Sequence, residues 1–245
     1  MKRSISIQQP DIRAKIIGLI LIAIGVALFF SNNTIYLKLS FALLLIGLLL
    51  IFMITEKTVP SKISKAQIEG NFNAFENITK SLNLAGSAVF IPKSNMLSEE
   101  KIFIPLEKKN NQIPELNDNI IFSTGADGKS LGMAVPPSGL KLLEEVEKET
   151  EYVNINSDNI EEQLQGFVGM NLINSIELKK SDDKLRLEIT KPIFCQKNET
   201  MCRQYPCPTC SAILTAITRS KNKKIWISDV VHNGKKVEFS LKIGD

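Results

Sequence analysis

Two runs near the start of the chain carry no polar face. Residues 14–30 read AKIIGLILIAIGVALFF and residues 39–55 read LSFALLLIGLLLIFMIT, with no charge between Ile16 and Phe30 or between Leu39 and Thr55. Each run lies near the low end of the ~17–25 residues that cross a bilayer as a helix. A helix that is apolar on every side suits lipid, where the backbone must satisfy its own hydrogen bonds, better than the one-sided core of a soluble protein. The first run shares a signal sequence's basic start. It lacks a small-x-small cleavage site, however, and the second run follows after eight residues. The pattern therefore predicts a cytoplasmic tail over 1–13 and a transmembrane helical hairpin over 14–57.

Beyond this the pattern becomes periodic. TVPSKIS opens a polar linker over 58–65, and residues 66–245 form the soluble part. Ile68, Phe72, Phe75, Ile78 and Leu82 recur at helical spacing. Short apolar stretches at 84–92, 101–106 and 119–123 read as strands. The repeated Phe-Ile-Pro places Pro92 and Pro105 at strand ends, where the missing amide donor does least harm. After Pro136 and Pro137, a helix over 138–149 carries Leu140, Leu143 and Val146 on one stripe. A second, capped by Ser157 or Asp158, turns Ile160, Leu164, Phe167 and Val168 inward. Ile176 and Leu178 answer Leu185, Leu187 and Ile189 across KKSDDK as a hairpin. Asn233-Gly234 turns a final hairpin that has Val237, Phe239, Leu241 and Ile243 on one face. A helix, SAILTAITRS, begins near Pro208. The fold class is α+β: helices packed on an antiparallel sheet, behind the N-terminal hairpin.

Charge then sets a direction. Lys2, Arg3, Arg13 and Lys15 precede the first run, and Lys57, Lys62 and Lys65 follow the second. Lys38 alone lies between them. Basic flanks stay inside, so the expectation is a two-pass protein of the cell membrane with its soluble domain in the cytoplasm. Of three Asn-x-Thr sequons, those at Asn77 and Asn198 would then be cytoplasmic, and Asn32 lies too close to the bilayer to be glycosylated. The net charge of +4 is spread out, which favours a surface near anionic lipid and gives no case for nucleic acid. The expected partners are the lipid bilayer and a small-molecule ligand or a partner protein.

Few residues offer chemistry. TGADGKS, at 124–130, lacks the first glycine of a phosphate loop and runs into Pro136 and Pro137 instead of a helix, so it reads as a turn between strands. His232, the sole histidine, reads as a solvated turn residue beside Asn233-Gly234. Glu144, Glu145, Glu147 and Glu149 read as a wet helix face. No constellation for acid–base or nucleophilic catalysis stands out.

All four cysteines fall in one loop, CQKNETMCRQYPCPTC at 195–210, spaced C-x6-C-x4-C-x2-C. A reducing cytoplasm disfavours disulfides. Cys195, Cys202, Cys207 and Cys210 are candidate metal ligands, for zinc with one C-x-x-C knuckle or for an iron–sulfur cluster through its C-x4-C-x2-C part. The competing readings are a reactive Cys207–Cys210 pair at a helix start, where the dipole lowers a thiol pKa, and ordinary buried or bridged cysteines. CPTC resembles the Cys-Pro-x-Cys of glutaredoxins, but the 35 residues after Cys210 are too few for the rest of that fold.

The two-helix start, the FIP segments and PCPTCSAILTAI together resemble archaeal membrane-anchored proteins of unknown function. From Cys207 onward the chain is also similar to the end of four-vinyl-reductase-type ligand-binding domains, which implies ligand sensing rather than catalysis. The expectation is a membrane-anchored cytoplasmic binding or sensory module with a metal-binding cysteine loop, not an enzyme. Its alternatives are a membrane-tethered redox protein, using an iron–sulfur cluster or the CPTC thiols, and a structural tether that docks a partner.

Overall fold

Apolar sequence without a polar face coils into helices in the computed structural model, which describes residues 10–30, 34–53, 61–108, 113–124, 131–150, 160–181, 184–193, 195 and 198–244. The chain divides into two compact units, Met1–Ser64 and Lys65–Asp245. In the first, α1 (Pro10–Phe29) and α2 (Thr34–Met53) pack together through small residues. A Cβ on Gly47 would meet Ile22 Cγ1 at 2.7 Å and the Gly18 carbonyl oxygen at 2.8 Å, so glycine is what allows the two backbones to approach. Leu19, Ile35 and Leu45 point outward and are more than half exposed.

One helix among the described residues is long and apolar enough to cross a membrane, over Thr34–Ile51. Among the described residues the apolar part of α1 is shorter, Ile16–Phe29. At 1.5 Å per residue it reaches about 21 Å, against a hydrocarbon core of ~30 Å. Of the expected pair of crossings, one helix qualifies among the described residues.

In the second unit, α3 (Ser61–Ser81) begins inside the stretch expected to be a linker. It buries Phe72 and half-buries Ile68 and Phe75, whereas Ile78 and Leu82 stay exposed, so the apolar stripe is narrower than its spacing predicts. The strands are β1 (Val89–Ile91), β2 (Lys101–Pro105), β3 (Phe122–Thr124) and β4 (Leu131–Val135). Helices α4 (Leu140–Thr150) and α5 (Ile160–Gly169) follow, then β5 (Ser175–Ser181) and β6 (Lys184–Thr190). The chain ends with α6 (Glu199–Gln204), α7 (Pro208–Lys221), β7 (Lys224–Asn233) and β8 (Lys236–Gly244). All described pairings are antiparallel, in one eight-stranded sheet of order β3-β4-β2-β1-β7-β8-β6-β5. The class is α+β, as the pattern predicts.

Both faces of the middle of the sheet are covered. Phe90, Ile102, Ile104 and Met133 turn to a large core shared with α4, α5 and α7. The alternate residues Val89, Ile91, Phe103 and Ala134 turn to a smaller core with Leu97 and Leu116 from the loops. Pro105 ends β2, as the Phe-Ile-Pro repeat predicts, while Pro92 lies just beyond β1. The final hairpin turns at Gly234 (φ 64°) and Lys235, one residue later than Asn233-Gly234 predicts, because glycine at the first turn position supplies the positive φ. TGADGKS after Thr124 and the Ser157–Asp158 cap lie outside the described residues.

Candidate metal centre

The cysteine segment is not one open loop. Asn198 caps α6 by accepting a hydrogen bond from the Met201 amide at 3.2 Å, and this short helix carries Cys202 inward. Two contacts clamp α6 to β7. Arg203 pairs with Asp229 at 2.6 Å, and Glu199 Oε1 accepts from the His232 amide at 3.2 Å. The Gln204 side chain donates to the Leu84 carbonyl at 2.7 Å, and the Arg203 carbonyl accepts from the Ala88 amide at 2.9 Å. The six-residue α6 was hidden in sequence by its polar content.

Cys207 is the N-cap of α7, with Pro208 in the first turn, where its fixed φ suits a helix start. Cys210 follows one turn later, and the Ser211 amide donates to the Cys207 carbonyl at 2.7 Å. The segment before α4 holds this end in place. Ser138 Oγ donates to the Pro206 carbonyl at 2.7 Å, and Gly139 lies so close to Pro208 and Ala212 that no Cβ fits there. Thr209 Oγ1 donates to the Ile193 carbonyl at 3.1 Å and ties down the chain leading to Cys195.

These supports bring all four predicted ligands together. The sulfurs of Cys195, Cys207 and Cys210 lie within 4.8 Å of one another. A tetrahedral zinc with bonds of about 2.3 Å separates its sulfurs by about 3.8 Å. None of the four is in a disulfide; Cys202, Cys207 and Cys210 are buried and Cys195 is half-buried. Hydrogen bonds from Cys202, Cys207 and Cys210 converge on Cys195 and hold its thiol far below the usual range. Bonding to Cys195 and burial together push Cys202 and Cys210 far above it. At Cys207 the bond to Cys195 raises the thiol most, against a lowering bond from Cys210. A metal ion entering here displaces thiol protons and exchanges sulfur–sulfur hydrogen bonds for metal–sulfur bonds.

The family model of a domain of unknown function, DUF7982, matches residues 3–198. The chain belongs to that family. The DUF7982 match takes in α1 and α2, most of the sheet and Cys195, and it ends before Cys202, Cys207 and Cys210. No curated protein and no solved structure matches the chain. The likenesses to archaeal anchored proteins and to vinyl-reductase-type domains rest on the sequence alone.

Sequence reasoning missed His232. The structure places it in β7 rather than in the turn, half-buried, with a ring nitrogen within 4.8 Å of the Cys195 and Cys202 sulfurs. A β-bulge is the reason it was missed. Ile225 and Ile227 face the helices, and plain alternation would send Asp229 and Val231 inward after them. The register shift between Ile227 and Asp229 instead turns Val230 and His232 to the covered face. His232 pairs with buried Val237, whose face it shares.

Glu147 is a second correction to the sequence reading. It is no wet-face residue, since it receives Arg219 Nη1 at 2.7 Å.

Proposed function

We propose that this DUF7982 protein is a membrane-anchored cytoplasmic binding or sensory module whose cysteine segment is organised by a metal ion. The gathering of Cys202 from α6 and of Cys207 and Cys210 from the start of α7 around Cys195, each piece of chain separately braced, is the observation that carries this reading. Zinc is the ion these donors suit best, with Cys195, Cys202, Cys207 and Cys210 as the donor set in sequence. The reactive-pair alternative is weakened by the burial of Cys207 and Cys210 and by their raised pKa values, since a working nucleophilic thiol is accessible and lowered.

A binding role also has a candidate surface. Val89, Pro105, Lys108, Trp226 and Lys242 line an open groove on the sheet. The Trp226 indole nitrogen is buried there without a hydrogen-bond partner among the described residues. That suits a small ligand carrying an acceptor group. For anchoring, α2 is the crossing helix and α1 the second pass of a hairpin. Basic flanks then keep the second unit in the cytoplasm.

Metal analysis of the full chain, purified in detergent without oxygen, tests the central claim. The expected result is about one zinc per chain, colourless, with a lower melting temperature after chelation. A brown, iron-bearing protein would favour the redox alternative. Four titratable thiols with no metal would leave the structural tether.

A further inference from the structure

We infer that His232 is itself a ligand, so that the centre is built from three cysteine sulfurs and one imidazole nitrogen rather than from four sulfurs. This rests on the metal reading above and changes what the ion sees. The donor atoms fall into two triads that share Cys195: Cys195, Cys207 and Cys210 on one side, and Cys195, Cys202 and His232 on the other. His232 Nε2 is buried and has no hydrogen-bond partner among the described residues. A buried polar atom left so calls for an occupant. Nothing else about His232 is loose. Its backbone is laddered to Val237, its amide is held by Glu199, and the bulge turns its side chain to the covered face. The fold thus holds a ring nitrogen of His232 within 4.8 Å of two sulfurs and leaves its buried Nε2 without a hydrogen-bond partner among the described residues.

Charge favours the same set. Four thiolates around a divalent cation leave two net negative charges in a buried place, and three thiolates with a neutral imidazole leave one. Less buried charge means a smaller desolvation cost. Five donors for four corners leave one thiol over. Cys195, Cys202 and His232 supply three corners, and one sulfur of the Cys207–Cys210 pair supplies the fourth. The remaining sulfur stays alongside as a spare.

Zinc-edge X-ray absorption of the full chain as purified reads the ligand set directly. The expected shell is three sulfurs at about 2.3 Å and one nitrogen at about 2.0 Å. In the cobalt-loaded protein, His232→Ala should keep one ion per chain while the spare thiol closes the shell. The d–d bands should then move to longer wavelength, and competition against a chelator should weaken by about tenfold or more. His232→Cys, which keeps a donor at that position, should recover the affinity with an all-sulfur shell. A wild-type shell of sulfur alone, around zinc or in an iron–sulfur cluster, or a cobalt spectrum unmoved by His232→Ala, overturns this inference and leaves the metal reading standing. A chain without metal overturns both.

Discussion

Arg219 shows how much one side chain can hold together. Its Nε and Nη2 reach the Glu100 carboxylate at 2.7 and 3.1 Å, and Nη1 reaches Glu147 at 2.7 Å, tying α7 to α4 and to the residue before β2. Glu100 is 1% exposed. Burial pushes its carboxyl up, and the guanidinium more than offsets this, so it sits below the usual carboxylate range. Burial wins at Glu147, which is raised even beside Arg219. Arg219→Met should therefore cost about 3–5 kcal/mol at neutral pH, because it leaves a buried charge without its partner. The sign with pH follows. In the wild type, Glu100 stabilises the fold above the unfolded carboxyl pKa of about 4.3, and that contribution fades as pH falls through its lowered folded value. In the variant the Arg219 contributions are gone, burial is opposed only by the Glu100 backbone hydrogen bond and Lys93, and the folded pKa rises, so the penalty shrinks in acid. Urea denaturation at about pH 7 and about pH 5 checks this, and a deficit that is the same or larger at the lower pH counts against it. Neither Glu100 nor Glu147 is distinguishable in sequence from its acidic neighbours, since their partner lies 119 and 72 residues away. The cysteines were legible because thiols so closely spaced are rarely idle. His232 was not, because its direction depends on the bulge.

Among elements, those with a long one-sided pattern were legible. The stripe of Leu140, Leu143 and Val146 is buried in α4, and that of Ile160, Leu164 and Phe167 in α5. The β5–β6 hairpin pairs as its alternation predicts, and β7–β8 does so only up to the bulge between Ile227 and Asp229. Elements whose form comes from context were not legible: α6 has six residues and depends on its cap and its two clamps to β7. The junction before α4 is a sharper case. Gly139 has no room for a side chain against Pro208 and Ala212, so Gly139→Ala forces the first turn of α7 outward. Such overpacking costs about 1–3 kcal/mol. Because that turn carries Cys207 and Cys210, the variant should also release its metal faster to a chelator. A stability loss with unchanged release would mean that α7 and the thiols are not coupled. Phe75 and Tyr205, stacked at 3.8 Å, fix α3 to the same segment from the other side.

For the whole molecule, sequence supplied the class but not the strand order. β1, three residues long, sits between β2 and β7, and its partner Trp226 lies more than 130 residues later in the chain. No local periodicity encodes such a pairing; it forms because Val89, Phe90 and Ile91 are apolar on both faces and need cover on both. The membrane assignment belongs to this scale too. A reporter fused after Asp245 should be active only on the cytoplasmic side, and protease added to intact cells should spare the second unit. Activity outside would reverse the topology and expose the four thiols to oxidation.

From Thr209 to Thr218 every residue of α7 is buried. A rod with no wet side has nowhere to slip. It runs about 20 Å, with the thiols at its first turn and the Arg219 knot near its last. A disturbance at either end therefore finds, along that stretch, no solvent-facing side into which it can relax.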